Sequence, residues 1–95
     1  MSLEVRWTEE AEFTFDHIVI LIQNGWGNQA ALNFRVKTRK ILSVMSIFPL
    51  SFQATDIDEV RKAAITPQTS VFYEIHPDHI TLLYFWDNRQ NPLLT

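Results

Sequence analysis

The chain has 95 residues and a mass of 11.1 kDa, which accommodates one domain and excludes two. It is 46% hydrophobic and 13% aromatic, too apolar for a disordered tail, and it carries 8 basic and 11 acidic residues for a formal net charge of −3. That acidity argues against grip on nucleic acid by bulk electrostatics, and the absence of cysteine excludes thiolate metal sites, cysteine nucleophiles and disulfides.

The missing cysteines also favour a reducing, cytoplasmic setting. The longest apolar runs, 18–22 and 80–86, fall far short of the ~20 residues that span a bilayer, so no membrane association is expected. No positive stretch followed by an apolar one opens the chain, which predicts no secretory signal.

Residues 4–7 alternate polar and apolar, as in a short strand. Thr8 is placed to cap a helix, and Glu9, Glu10 and Glu12 put negative charge on its first turn, where the helix dipole favours it. Ala11, Phe15, Ile18, Ile22 and Trp26 then recur at helical spacing and predict the buried stripe. Glycine at 25 or 27 should end this helix. Asn28 should cap the second, whose stripe is Ala31, Phe34, Thr38, Ile41, Met45 and Phe48, with Arg35, Arg39 and Lys40 opposite. Pro49 ends it. The short connection implies an antiparallel helical hairpin.

Residues 50–58 read as a loop. Beyond it the period changes to two: strands are predicted at 59–66, 69–76 and 80–87, with turns at Pro67-Gln68 and Pro77-Asp78. The last strand is the most apolar and is expected to be central, buried on both faces. Residues 88–95 are expected to be coil. The order β-α-α-β-β-β, with helices on one face of a small antiparallel sheet, is an α+β two-layer domain spanning 1–95.

Signatures of common enzymes are missing: there are only two glycines, no phosphate loop, no nucleophile elbow and no zinc-helix motif. His76 and His79 flank a hairpin turn with Asp78 between them, but two imidazoles lack the further ligands of a closed metal site, and no metal or other cofactor is expected. The first sixteen residues hold five acids and one base, whereas Arg35, Lys37, Arg39 and Lys40 cluster on the second helix. That cluster is either a solvated helix face or a surface for an acidic partner segment or a phosphate. Arg61 and Lys62, being adjacent on a strand, must face opposite sides of the sheet. Asp87, Asn88 and Arg89 leave the last strand together. Arg89 there either brace a turn or grips a carboxylate or phosphate.

The strand beginning Val5-Arg6-Trp7-Thr8-Glu9-Glu10-Ala11, the hairpin turn at Trp26-Gly27, then Val60-Arg61-Lys62, residues 71–75 and residues 80–89 together resemble the RelE/ParE superfamily. These are toxins of type II toxin–antitoxin modules, also called plasmid stabilisation proteins, and they act in bacteria to inhibit growth. The resemblance covers nearly the whole chain and implies two helices packed on a small antiparallel sheet. RelE-like members resemble ribosome-dependent mRNA endonucleases, and their pattern puts a basic residue at Arg61 and an arginine at Arg89. It also asks for an arginine where Ser70 stands and a tyrosine after Arg89, and this chain has neither. RNA cleavage needs a base, an acid and charge stabilisation, so the constellation is incomplete. If the chain is a nuclease, Arg61 and Arg89 are its catalytic candidates.

ParE-like members resemble inhibitors of DNA gyrase, need no catalytic site, and fit the acidic balance better. On that reading Arg61, Lys62, Asp87, Asn88 and Arg89 bind the target. A cognate antitoxin is the expected partner, received by Phe13 and Val19, which fall off the main helix stripe, and by Phe52 in the loop. Without an antitoxin, the same surface would support a homodimer.

Overall fold

The computed structural model describes residues 2–89. Strand β1 (Glu4–Trp7) leads into helices α1 (Glu9–Trp26) and α2 (Asn28–Ile47). A two-residue strand β2 (Gln53–Ala54) follows, then β3 (Val60–Thr66), β4 (Thr69–Ile75) and β5 (His79–Asp87). The five strands form one sheet in the order β1-β5-β4-β3-β2, with both helices on one face.

Thr8 caps α1 as its hydroxyl oxygen predicts, accepting from the Ala11 amide at 3.0 Å. The turn between the helices is one residue, Gly27, whose φ of 95° lies where only glycine sits without strain. Asn28 is not the cap: it is the first residue of α2, and its Oδ1 instead accepts from Gln23 Nε2 at 2.7 Å, tying the two helices across the turn. Gly25 lies within α1.

Three further expectations are corrected. The sheet is mixed, because β1 pairs with β5 in parallel, Val5 beside Ile80 and Trp7 beside Leu82. Residues 50–58 contain β2, which pairs with β3. The central and most buried strand is β4, not β5: its first five residues, from Thr69 to Tyr73, are all buried.

Val71 and Tyr73 of β4, Ile80, Leu82 and Phe85 of β5, and Ala63 and Ile65 of β3 meet Ala11, Phe15, Ile18, Val19, Ala31, Phe34 and Met45 of the helices. Burying each of the larger side chains stabilises the fold by about 1.5–3 kcal/mol. Trp7 reinforces this layer, its ring 5.4 Å from Phe85 and 5.3 Å from Phe15. The helices outrun the sheet, so both predicted stripes fail at their ends. Trp26 is 81% exposed at the hairpin tip, and Phe48 is also exposed.

A β-bulge sets the two faces of β5. Phe72 pairs with Tyr84 but Tyr73 pairs with Leu82, which leaves Leu83 as the extra residue. The alternation therefore shifts by one, so that Leu82 and Phe85 face the helices while Tyr84 and Trp86 face away. Two threonines of the N-terminal segment satisfy the backbone groups that the bulge frees. Thr8 Oγ1 shares its proton between the carbonyls of Leu82 and Leu83, at 2.9 and 3.0 Å. Thr14 Oγ1 accepts from the Phe85 amide at 2.9 Å.

Candidate functional site

The sheet face turned away from the helices carries an aromatic and charged platform. Phe72 lies at its centre, fully buried, with the Tyr84 ring at 5.0 Å and Lys62 Nζ at 5.9 Å from its centroid. Trp86 continues the row, edge-on to Tyr84 at 6.0 Å. The bulge is what brings Tyr84 and Trp86 to this face. Tyr84 Oη is buried and has no hydrogen-bond partner among the described residues. Burial, and secondarily the charge of Glu10, push its phenol above the ordinary tyrosine value, so it stays protonated at neutral pH.

A second group sits toward the β4–β5 turn on the same face. His76 Nε2 meets Glu74 Oε1 at 3.0 Å, and His79 Nδ1 meets Asp78 Oδ1 at 2.7 Å. The two imidazoles stack at 4.3 Å, nearly parallel. The hydrogen bond from His79 is the main reason the Asp78 carboxyl titrates below its usual range. Among the described residues no three histidine, aspartate or glutamate side chains gather as metal ligands would. Arg6 lies one row away, paired with Glu4 at 3.0 Å.

The structure divides the residues that the sequence grouped as target-binding. Lys62 lies on the open face. Asn88 joins it, its Nδ2 donating to Ser70 Oγ at 2.9 Å. Arg61 points the other way, toward the helices. Its Nη1 donates to the carbonyls of Phe52 at 2.7 Å and Leu50 at 3.2 Å, pinning the segment that follows α2. Tyr73 Oη pins the same segment at the Pro49 carbonyl, at 2.6 Å. Arg61 therefore braces this loop through one nitrogen of its guanidinium. Ser70, at the position of the sought arginine, is 1% exposed. A guanidinium there would be buried under Asn88.

Asp87 and Arg89 line a different cavity, of about 420 Å³, on the helix side with Ile22, Trp26 and Lys37. They form a two-pronged pair, Nε to Oδ1 at 2.9 Å and Nη2 to Oδ2 at 2.6 Å. The Arg89 backbone amide also donates to Asp87 Oδ1. This pairing holds the Asp87 carboxyl below its usual range. The turn-bracing alternative for Arg89 is the one observed. The stretch from Gln90 to Thr95, expected to be coil, lies outside the described residues.

Of the three candidate partner-binding residues, only Phe13 is openly accessible, at 72% exposed, its ring parallel to that of His17. Val19 is corrected: it is 5% exposed and belongs to the core beside Ile18. Phe52 is partly buried, edge-on to Tyr73 at 6.2 Å. The sequence reading missed Tyr84 and Trp86, because only the bulge in β5 places them on this face, whereas the shared side of Glu74 and His76 follows from strand alternation.

No protein-family model matches the sequence, and no curated protein matches it significantly. Solved structures do match in fold. A chain of the chromosomal ParDE toxin–antitoxin system of P. aeruginosa superposes with a TM-score of 0.77 at 15% identity, covering 90% of this chain and 96% of that one. A chain of the E. coli DinJ–YafQ toxin–antitoxin complex gives 0.61 at 10% identity, covering 94% and 96%. The YoeB dimer of Staphylococcus aureus gives 0.63 at 10% identity, covering 88% and 94%.

Proposed function

We propose that this chain, which has the fold of the RelE/ParE toxins, is the toxin of a type II toxin–antitoxin module and acts in the ParE manner, by binding a host target without chemistry. The observation that carries this reading is the engagement of both arginines that RNA cleavage would call on. Arg61 is bonded to the carbonyls of Leu50 and Phe52, and Arg89 to Asp87. Neither is poised over the open face, where a substrate phosphate would need charge stabilisation. Tyr84, the phenol on that face, is held protonated and is no base at neutral pH. The superposition on the ParDE chain, at 0.77 against 0.61 and 0.63, supports the same branch. Fold alone does not assign function, so the weight rests on the arginines.

DNA gyrase is the target this reading names, and a cognate antitoxin is the partner that neutralises it. Phe13 is one accessible apolar contact for that partner on α1, which also exposes Ile20, Leu21 and Trp26; without a partner, the same exposed helix surface would serve a homodimer. A second reading, ribosome-dependent mRNA cleavage, draws on a specific observation. Glu74 and His76 form a hydrogen-bonded pair on the same face as Lys62 and Arg6. The experiment is induced expression of the chain, alone and with the protein encoded beside it, with growth as readout, followed by a gyrase supercoiling assay and a ribosome-bound mRNA cleavage assay. The first reading predicts growth arrest relieved by the neighbour, inhibited supercoiling and intact mRNA. Cleaved mRNA that becomes intact with His76→Ala moves the assignment to the second. Growth unaffected by expression rejects both.

A further inference from the structure

The helices outrun the sheet, and the space beneath their overhang is the cavity of about 420 Å³ that Asp87 and Arg89 line. Ile18, Ile22, Trp26 and Phe34 wall it from the hairpin, and Thr66 and Gln68 close it from the β3–β4 turn. At ~30 Å³ for each water-sized group, it holds roughly a dozen non-hydrogen atoms. Its charged side chains are Lys37 and Arg89 against Asp87, which leaves one net positive charge.

The hydrogen-bonding capacity of this cavity is one-sided, because its acceptors are occupied. Both Asp87 carboxylate oxygens accept from Arg89, at 2.6 to 3.1 Å. Asn33 Oδ1 accepts from Gln29 Nε2 at 3.0 Å. Thr66 Oγ1 accepts from the amides of Gln68 and Thr69, both at 3.2 Å. The carbonyls of Pro67 and Gln68 accept from the side chain and the amide of Asn88. Donors are left over. Lys37 has no carboxylate within ion-pair distance among the described residues. Arg89 meets Asp87 through Nε and Nη2, so its Nη1 is free. Asn33 keeps Nδ2, and Thr66 keeps its hydroxyl proton. The side chains of Gln68 and Thr69 serve either role.

A ligand that fits therefore accepts hydrogen bonds, carries one negative charge and has an apolar body. A nucleotide brings more negative charge than the cavity offsets, and donors of its own. The end of a peptide brings backbone N–H groups that would be buried without an acceptor. We propose that the cavity is a binding site for a small apolar monocarboxylate. Lys37 and the free Arg89 nitrogen take its carboxylate, and Ile22, Trp26 and Phe34 take its body. The site lies apart from the open face and does not depend on growth arrest.

The test titrates the whole chain with 2-naphthoate at neutral pH, followed by calorimetry and by amide shifts in NMR spectra. Binding should saturate at one site with a dissociation constant of about 0.1–1 mM. The shifts should centre on Ala30, Asn33, Lys37 and Gln68. The neutral 2-naphthamide and the cationic 2-naphthylmethylamine should each bind at least about ten-fold more weakly. Lys37 is exposed, so replacing it leaves the fold intact. Lys37→Gln should weaken 2-naphthoate about ten-fold, and Lys37→Glu, which reverses the net charge of the cavity, should turn the preference to the amine. Octanoate in place of 2-naphthoate separates an aliphatic source from an aromatic one, and saturable binding of either supports the site. No saturable binding of either acid, amide binding as tight as that of the acid, shifts centred on Tyr84 or β1, or an unchanged preference in Lys37→Glu would each overturn the proposal.

Discussion

Arg61→Ala tests whether this residue serves the fold or a ligand. Its guanidinium makes a part-buried bond of 2.7 Å to the Phe52 carbonyl and an exposed one of 3.2 Å to Leu50. A hydrogen bond from a charged donor contributes about 1.5–3 kcal/mol, and the longer, exposed bond contributes least. Removing both should cost roughly 2 kcal/mol. For a chain of 95 residues the unfolding entropy is about 0.2 kcal/mol/K, so the melting temperature should fall by about 10 °C. The measurement is urea and thermal unfolding of parent and variant, with hydrogen exchange at Gln53 and Ala54 as the local readout. Those β2 amides should lose protection first, since β2 pairs with β3 right at Arg61, beside Ala54.

Arg61→Lys separates charge from geometry. An ammonium keeps the charge, but its shorter side chain ends short of the Nη1 position that reaches both carbonyls, so less than half of the stability should return. Loss of toxicity in Arg61→Ala, if seen, should then track the loss of fold and recover on cooling. A variant that melts within about 2 °C of the parent yet loses target binding would refute this reasoning and place Arg61 at the target.

Tyr73→Phe removes the bond to Pro49 and should cost about 1 kcal/mol at neutral pH. Burial pushes the Tyr73 phenol up to about 12 from 10.0, so its contribution is complete below pH 10 and is lost as pH rises through 12. Urea midpoints measured between pH 8 and 12 should first close the gap between parent and Tyr73→Phe and then reverse it at the alkaline end, and parallel curves would contradict this. Thr14→Val leaves the buried Phe85 amide of the bulge without an acceptor and should destabilise by about 1–3 kcal/mol, read from chemical unfolding. Val19→Ala should cost about 1–3 kcal/mol, and Phe13→Ala should stay within about 0.5 kcal/mol. The reverse order in unfolding midpoints would return Val19 to the surface.

Local rules made the helices legible. Thr8, the acids after it, Gly27 and Pro49 each act on neighbouring backbone, and that chemistry is the same before and after folding. Long-range pairing was hidden. Strand β1 is four residues long, and its parallel partner β5 lies more than seventy residues away. Nothing in residues 4–7 encodes that direction. The stripe rule found Phe15 and Phe34, but it put Trp26 and Phe48 inside, because periodicity does not report where the sheet beneath a helix ends. Val19 was missed for a related reason: the buried arc of α1 covers both Ile18 and Val19, wider than one line of residues. The open face was the least legible part. A one-residue bulge reverses the alternation of β5, and without it Tyr84 would face the helices.

The net charge of −3 has less to say about partners than its size suggests, because the bases are dispersed over separate surfaces. Lys62 and Arg6 share the open face, the latter already paired with Glu4. Arg61 is spent on the loop after α2. Lys37 and Arg89 border the helix-side cavity with Asp87, and Arg35 and Arg39 rim a groove beside β1. Tracking a nucleic acid backbone takes several phosphate contacts along one path, and the four exposed bases of α2 split into Arg35 with Arg39 and Lys37 with Lys40 on different sides of the helix. Recognition must then rest on short-range shape and a few aimed charges, which suits protein partners. The exposed apolar residues of α1 and the aromatic row of the open face supply that kind of contact on opposite sides of one small sheet.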